Sequence, residues 1–261
     1  MEIALVAAAA VLGLLLGSFA NVVIHRVPEG ASVVRPPSAC PGCGTEIAPR
    51  DNIPVLSWLL LRGRCRHCRE PISARYPVVE ALCAALFALV AWRVGMSALL
   101  PAFLAFAWLL LVLSVIDART RRIPNAITYP AAPVLLVLVV AGALVEGDGW
   151  AALRSPLGGL AAFAGLLIIA LISPRGMGMG DVKLAGLMGL VLGALGWGHI
   201  LLGVFGGFLV GGVTAIALLV LRVRQRRDLI PFGPYLAAGG LASLLFGEPL
   251  IDAYLRSVGL A

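Results

Sequence analysis

Residues 98–125 read ALLPAFLAFAWLLLVLSVIDARTRRIPN. Nineteen residues, 98–116, pass without a charge, and then Asp117 arrives, followed by Arg119, Arg121, Arg122 and the helix-stopping Ile123-Pro124-Asn125. A run of that length matches the ~20 apolar residues a helix needs to cross a hydrocarbon core of about 30 Å. The pattern recurs at 3–24, 77–94, 129–145, 156–172, 182–195, 200–221 and 230–246. The expectation is an all-α polytopic membrane protein with about eight transmembrane helices. A composition that is 61% hydrophobic and 13% charged, against roughly 25% charged in soluble domains, excludes an ordinary soluble fold. The first run is expected to be a retained span and not a signal peptide, because it is too long and its leading residues carry Glu2 and no Lys or Arg.

The net charge of +7 reports topology here and not a nucleic-acid partner. Basic residues crowd alternate connections: eight in 25–76, Arg119, Arg121 and Arg122 after the third run, Arg175 and Lys183 around the sixth, and four in 222–228. The other side receives only Arg93, Arg154 and Arg256. The positive-inside rule therefore puts the long loop in the cytoplasm and both termini outside. The expected organisation is a first helix (1–24), a cytoplasmic loop domain (25–76) and a membrane-embedded body (77–261). Glycines spaced by four, at Gly203, Gly207 and Gly211 and at Gly189 and Gly193, predict close backbone packing between helices.

The loop contains Cys40-Pro41-Gly42-Cys43 and Cys65-Arg66-His67-Cys68. Two such knuckles complete a tetrahedral four-thiolate shell, the closed arrangement of a structural zinc ion. A reducing cytoplasm disfavours disulfides, and a fully sulfur-ligated ion leaves no position for a catalytic water. Arg62, Arg64, Arg66 and Arg69 either favour thiolates by their charge or face anionic headgroups. His67 is an alternative ligand, and Cys83, inside the second run, reads as a buried apolar residue.

Charges at the ends of apolar runs are costly and are the next place to look for chemistry. Asp117 ends the third run, and Asp181 follows the flexible Gly176-Met177-Gly178-Met179-Gly180 and opens the sixth. Irregular backbone at that depth needs protein or a wet cavity to satisfy it. Two carboxyl groups from different helices can share a proton, one acting as acid and the other as base. The ionised member can deprotonate a water attacking a peptide carbonyl while the protonated member polarises that carbonyl and assists the leaving amine. The competing reading pairs Asp117 with Arg119 or Arg121, and Asp181 with Lys183, as interfacial ion pairs. Glu80 is a third carboxylate, with Arg75 as its expected partner.

Together these residues resemble the type IV prepilin leader peptidases, intramembrane aspartic proteases of the GxGD type. The resemblance rests on Gly178-Met179-Gly180-Asp181 extended by Val182-Lys183-Leu184, and on Asp117 with Arg119 and Ile123-Pro124-Asn125. It extends to Gly17-Ser18-Phe19-Ala20-Asn21-Val22-Val23 with Arg26 and Pro28, the paired cysteine knuckles, Arg75-Tyr76-Pro77 with Glu80, and Ile230-Pro231-Phe232-Gly233-Pro234. It implies that Asp117 and Asp181 are the catalytic pair, supported by Gly178 and Gly180, and that the substrates are type IV prepilins and type II secretion pseudopilins, cut behind a glycine. It also implies a bacterial inner-membrane location and N-methylation of the new terminus with S-adenosylmethionine. Gly17, Asn21 and Glu80 are tied to that donor by resemblance alone. One departure is Val115, where many relatives carry an additional aspartate; the pair itself is intact.

Two other functions compete. A transporter or metal-handling protein would line a path with carboxylates near mid-span, whereas both aspartates fall at one boundary. A non-catalytic assembly factor would use the zinc loop to dock a partner and the aspartates as structural groups.

Overall fold

The computed structural model describes residues 2–173, 177–221 and 231–259. Arg175, Gly176, the basic cluster at 222–228 and Ile230 lie outside the described residues. The described residues form helices and turns with no strand, only two isolated bridges in the loop, Ala39 to Glu46 and Arg64 to Pro71. The chain divides into two units, Met1–Met96 and Ser97–Ala261.

The first unit is a helical hairpin with a loop domain between its arms. Helices α1 (Glu2–Arg26) and α3 (Arg75–Val94) pack along their length, and the short helix α2 (Leu56–Leu60) lies in the loop. The close approach follows from two glycines. A Cβ on Gly13 would sit 2.7 Å from the Ala84 Cα, and one on Gly17 would sit 2.7 Å from the Glu80 Cα. Only hydrogen at those positions lets the two backbones meet, which is the usual device for joining apolar helices in lipid. Cys83 is fully buried in this seam, as its apolar setting predicts.

The second unit contains α4 (Leu100–Thr120), α5 (Asn125–Val145), α6 (Gly149–Ile172), α7 (Met179–Leu192), α8 (Trp197–Val220) and α9 (Gly233–Ser257). Helix α4 is its core, with Phe103, Phe106, Leu110, Leu113 and Ile116 almost wholly enclosed. The predicted glycine contacts are present. Gly203, Gly207 and Gly211 face α9, where a Cβ on Gly207 would meet the Leu236 Cα at 2.8 Å, and Gly189 and Gly193 face α6.

Among the described residues seven helices are long and apolar enough to span a bilayer. The eighth expected span, 182–195, is α7, which has 14 residues, or about 21 Å at 1.5 Å per residue. That is short of the ~30 Å core, and α7 is enclosed by its neighbours, with Val182, Leu184, Ala185, Met188, Val191 and Leu192 buried, as it runs from the Asp181 end of the unit to the level of Arg154 near the start of α6. Its early end is satisfied by Arg154 on α6, whose guanidinium donates to the Gly193 and Ala194 carbonyls at 2.5 and 2.7 Å. A cation there answers both the orphan carbonyls and the negative end of the helix. Two other helices outrun the sequence expectation. Helix α6 starts at Gly149 because the Asp148 side chain accepts the Ala151 amide (2.8 Å) and Pro156 is tolerated within the helix. Helix α9 continues through Pro249 to Ser257, as prolines in packed membrane helices often allow.

Candidate functional site

Asp117 lies one turn before the end of α4 and is 5% exposed. Its Oδ2 accepts the backbone N–H of Gly233, the first residue of α9, at 2.9 Å. The approach depends on glycine, because a Cβ there would fall 2.8 Å from Oδ2 and 3.2 Å from the Asp117 Cβ. Proline at 234 sits where a helix start tolerates it, so α9 begins at Gly233 and presents that one amide to the carboxylate. The sequence alone assigns Gly233 no role. Its signal was the block Pro231-Phe232-Gly233-Pro234, whose use only the fold reveals.

Asp181 is the third residue of α7. Gly178 precedes the helix with extended backbone (φ −81, ψ 147), and its carbonyl accepts the Asp181 amide at 3.1 Å. The helix begins at Met179, so Met179 and Gly180 are helical where a flexible stretch was expected. Gly180 is required by contact: a Cβ there would lie 2.9 Å from the Ile123 Cβ, which follows α4. The same turn is held to α5 by Lys183, whose Nζ donates to Asn125 Oδ1 (2.6 Å) and Tyr129 Oη (3.1 Å) and lies over the Tyr129 ring. Asp181 and Asp117 are close enough to interact electrostatically. The fold thus brings the two aspartates together at one end of α4 and α7.

The ion-pair alternative fails for both. Among the described residues no ion pair joins Asp117 to Arg119 or Arg121, and Lys183 turns to Asn125 and Tyr129 instead of Asp181. The expectation for Glu80 is corrected as well. Its partner is not Arg75 but the Val55 amide, which donates to Glu80 Oε2 at 2.7 Å, and the Arg75 Nε is buried without a hydrogen-bond partner. A backbone donor carries no side-chain signature, which is why the sequence pointed to the nearest arginine.

The four thiols of Cys40, Cys43, Cys65 and Cys68 lie within 4.8 Å of one another. Cys40 and Cys68 are 3.6 Å apart and Cys43 and Cys65 4.0 Å. A tetrahedral ion with metal–sulfur bonds of about 2.3 Å requires sulfur separations of about 3.8 Å, so the cluster can hold a metal ion with little movement. His67 is not part of the cluster. The Thr45 hydroxyl and amide beside Cys43 hold its thiol down to about 6. The Glu70 amide acts to lower Cys68, but burial and the neighbouring thiols outweigh it and push that thiol up to about 12. Arg66 does not serve the thiolates; it grips Asp51 through Nε and a terminal nitrogen at 2.5 to 3.1 Å, which holds the Asp51 carboxyl below its ordinary value.

With this geometry in view, the similarities to known proteins are specific. Residues 11–94 match the bacterial peptidase A24 N-terminal domain and residues 104–216 the type IV leader peptidase family. A prepilin leader peptidase/N-methyltransferase of Stutzerimonas stutzeri is 36% identical, the match covering 97% of this chain and 95% of the relative. The chain belongs to the type IV leader peptidase family. Proteins of the same name from Pseudomonas aeruginosa (35% identical, 95% of this chain and 92% of the relative) and Bacillus subtilis (34%, 94% and 96%) agree. No solved structure matches significantly. Both aspartates fall within the segment matched to the type IV leader peptidase family, and the four cysteines within the segment matched to the N-terminal domain.

Proposed function

We propose that this member of the type IV leader peptidase family removes the leader of type IV prepilins and type II secretion pseudopilins and methylates the new N-terminus. The observation that carries the peptidase reading is the juxtaposition of Asp117 and Asp181 at the ends of two packed apolar helices, with the Gly233 amide on Asp117. In this reading one carboxylate accepts a proton from the attacking water while the other, protonated, donates to the scissile carbonyl oxygen. The resulting tetrahedral diol collapses, its proton goes to the departing amine, and the pair is returned to its starting protonation. Gly178 and Gly180 serve the second aspartate, the former by capping α7 with extended backbone and the latter by admitting Ile123.

The ion held by Cys40, Cys43, Cys65 and Cys68 is zinc in this reading. A closed four-sulfur shell has no open position, so its role is to fold the loop. S-adenosylmethionine supplies the methyl group when bound. The residues that fit its cationic portion are Asn21, whose Oδ1 is buried and lacks a partner, and the buried carboxylate of Glu80. The orientation that suits the substrate is the one the charge distribution favours: loop and aspartates on the cytoplasmic side of a bacterial inner membrane, termini opposite. A basic leader then stays in the cytoplasm with its scissile bond at the interface. The test incubates the purified protein in bilayers with a prepilin, with and without S-adenosylmethionine, and reads the product by mass spectrometry. A leaderless product that gains a methyl mass only when the donor is present is expected. An untouched prepilin that a related peptidase cuts would overturn the reading in favour of assembly or transport.

A further inference from the structure

Helix α2 turns one face out of the loop. Leu56, Leu59 and Leu60 are 50%, 57% and 73% exposed, and their spacing places them side by side on one helix face. The other face is anchored inward: Ser57 is buried, with its hydroxyl donating to the Arg50 carbonyl (3.0 Å), and the Trp58 indole donates to the Ile72 carbonyl at 3.0 Å. Three exposed leucines in five residues would be a liability in water.

The position of α2 along the neighbouring span says what covers them. Val55, the residue before α2, donates its amide to Glu80. Glu80 is the sixth residue of α3, about 7.5 Å along the helix axis from its start. On the same part of α3 Val78 and Leu82 are about half exposed, as lipid-facing residues of a span are. Helix α2 therefore begins at the level of the apolar part of a membrane helix. The charge pattern agrees. Residues 52–69 carry Arg62, Arg64, Arg66 and Arg69 and no acidic residue, and only Arg66 has an ion-pair partner among the described residues.

We propose that α2 is an interfacial foot of the loop domain, with Leu56, Leu59 and Leu60 entering the headgroup–acyl boundary of the bilayer and Arg62 and Arg64 meeting anionic lipid phosphates. A short helix with leucines on one side and arginines at its end has the chemistry of an interfacial segment. This foot, together with the Val55–Glu80 bond, ties the cysteine loop down to the membrane surface on which a prepilin would arrive.

The experiment places p-benzoylphenylalanine at Leu60 of the full chain in nanodiscs of phosphatidylglycerol and phosphatidylethanolamine, irradiates, and reads adducts by mass spectrometry. The same residue at Leu82 is the lipid-facing control and at exposed Glu46 the solvent control. The expected result is a phospholipid adduct at positions 60 and 82 and none at 46. Lipid adduct at 82 with none at 60 overturns the proposal, as does a position-60 adduct that moves wholly to added prepilin. The double variant Arg62→Gln, Arg64→Gln tests the headgroup half: loss of much of the position-60 adduct in phosphatidylglycerol discs supports it, and an unchanged yield refutes it.

Discussion

Replacing Gly233 by alanine isolates the contact on which the aspartate pair depends. The residue has no left-handed backbone, so alanine is conformationally acceptable, and the whole effect comes from its methyl group. That group would sit 2.8 Å from the Asp117 Oδ2 and 3.2 Å from the Asp117 Cβ. Rotating the carboxylate relieves the first clash but not the second, because the Cβ is fixed by α4. Reaching an ordinary separation of about 3.4 Å requires the Oδ2 to turn away by roughly 0.6 Å and the start of α9 to shift from the end of α4 by roughly 0.2 Å. The amide that donates to Asp117 moves with it. Hydrogen bonds to charged acceptors contribute about 1.5–3 kcal/mol, and a misplacement of about 1 Å in a reacting geometry costs on the order of 10²-fold. A fall in kcat of about 10- to 100-fold is expected, with KM little changed because the perturbed contact is to the carboxylate of Asp117. The assay is initial-rate cleavage of a purified prepilin by the variant in nanodiscs, and methylation of pre-cleaved pilin by the same preparation shows that the rest of the molecule is intact. Wild-type kcat in Gly233→Ala would refute the role given to this contact.

The other expectations concern separate parts of the molecule. Lys183→Met removes the bonds to Asn125 and Tyr129 that hold the first turn of α7, so kcat should fall about 10-fold; Lys183→Arg, keeping a donor, should recover part of it, and equal loss in both variants would contradict a positioning role. Gly17→Val puts carbon where only 2.7 Å separates a Cβ from the Glu80 Cα, so α1 and α3 must part and the protein should lose about 1–3 kcal/mol in thermal or denaturant unfolding; an unchanged midpoint would refute the packing argument. Cys43→Ser should lower bound zinc measured by elemental analysis. Each ligand thiolate must regain its proton for the ion to leave, so zinc should be retained at pH 7 and released only in acid. Zinc content that ignores both acid and the substitution would exclude the four-sulfur site.

Much of this was legible in the residues. Apolar runs ended by charges marked the spans, because the bilayer imposes a length that side-chain composition must meet. The knuckles announced a metal-sized cluster because ligand spacing is a local property. Asp117 and Asp181 stood out because carboxylates at the ends of apolar runs are expensive. What the sequence withheld was contact across long separations. The Gly233 amide reaches Asp117 over 116 residues, and the Val55 amide, not the Arg75 side chain, meets Glu80. Backbone donors look alike in every sequence. Helix α7 is apolar enough to read as a span, but that its side chains are enclosed by other helices and that its end is set by Arg154 follow only from the fold. Gly203, Gly207 and Gly211 showed the spacing of a packing face, but α9 as their partner follows only from the fold.

The central claim is that Asp117 and Asp181 together cut the leader. The direct measurement compares the wild type with Asp117→Asn and with Asp181→Asn on one prepilin, reading the product's N-terminus by mass spectrometry and using methylation of pre-cleaved pilin as the check on folding. The account predicts leaderless product from the wild type alone and methylated pilin from all three. Leaderless product from either asparagine variant at a rate near the wild type would contradict it.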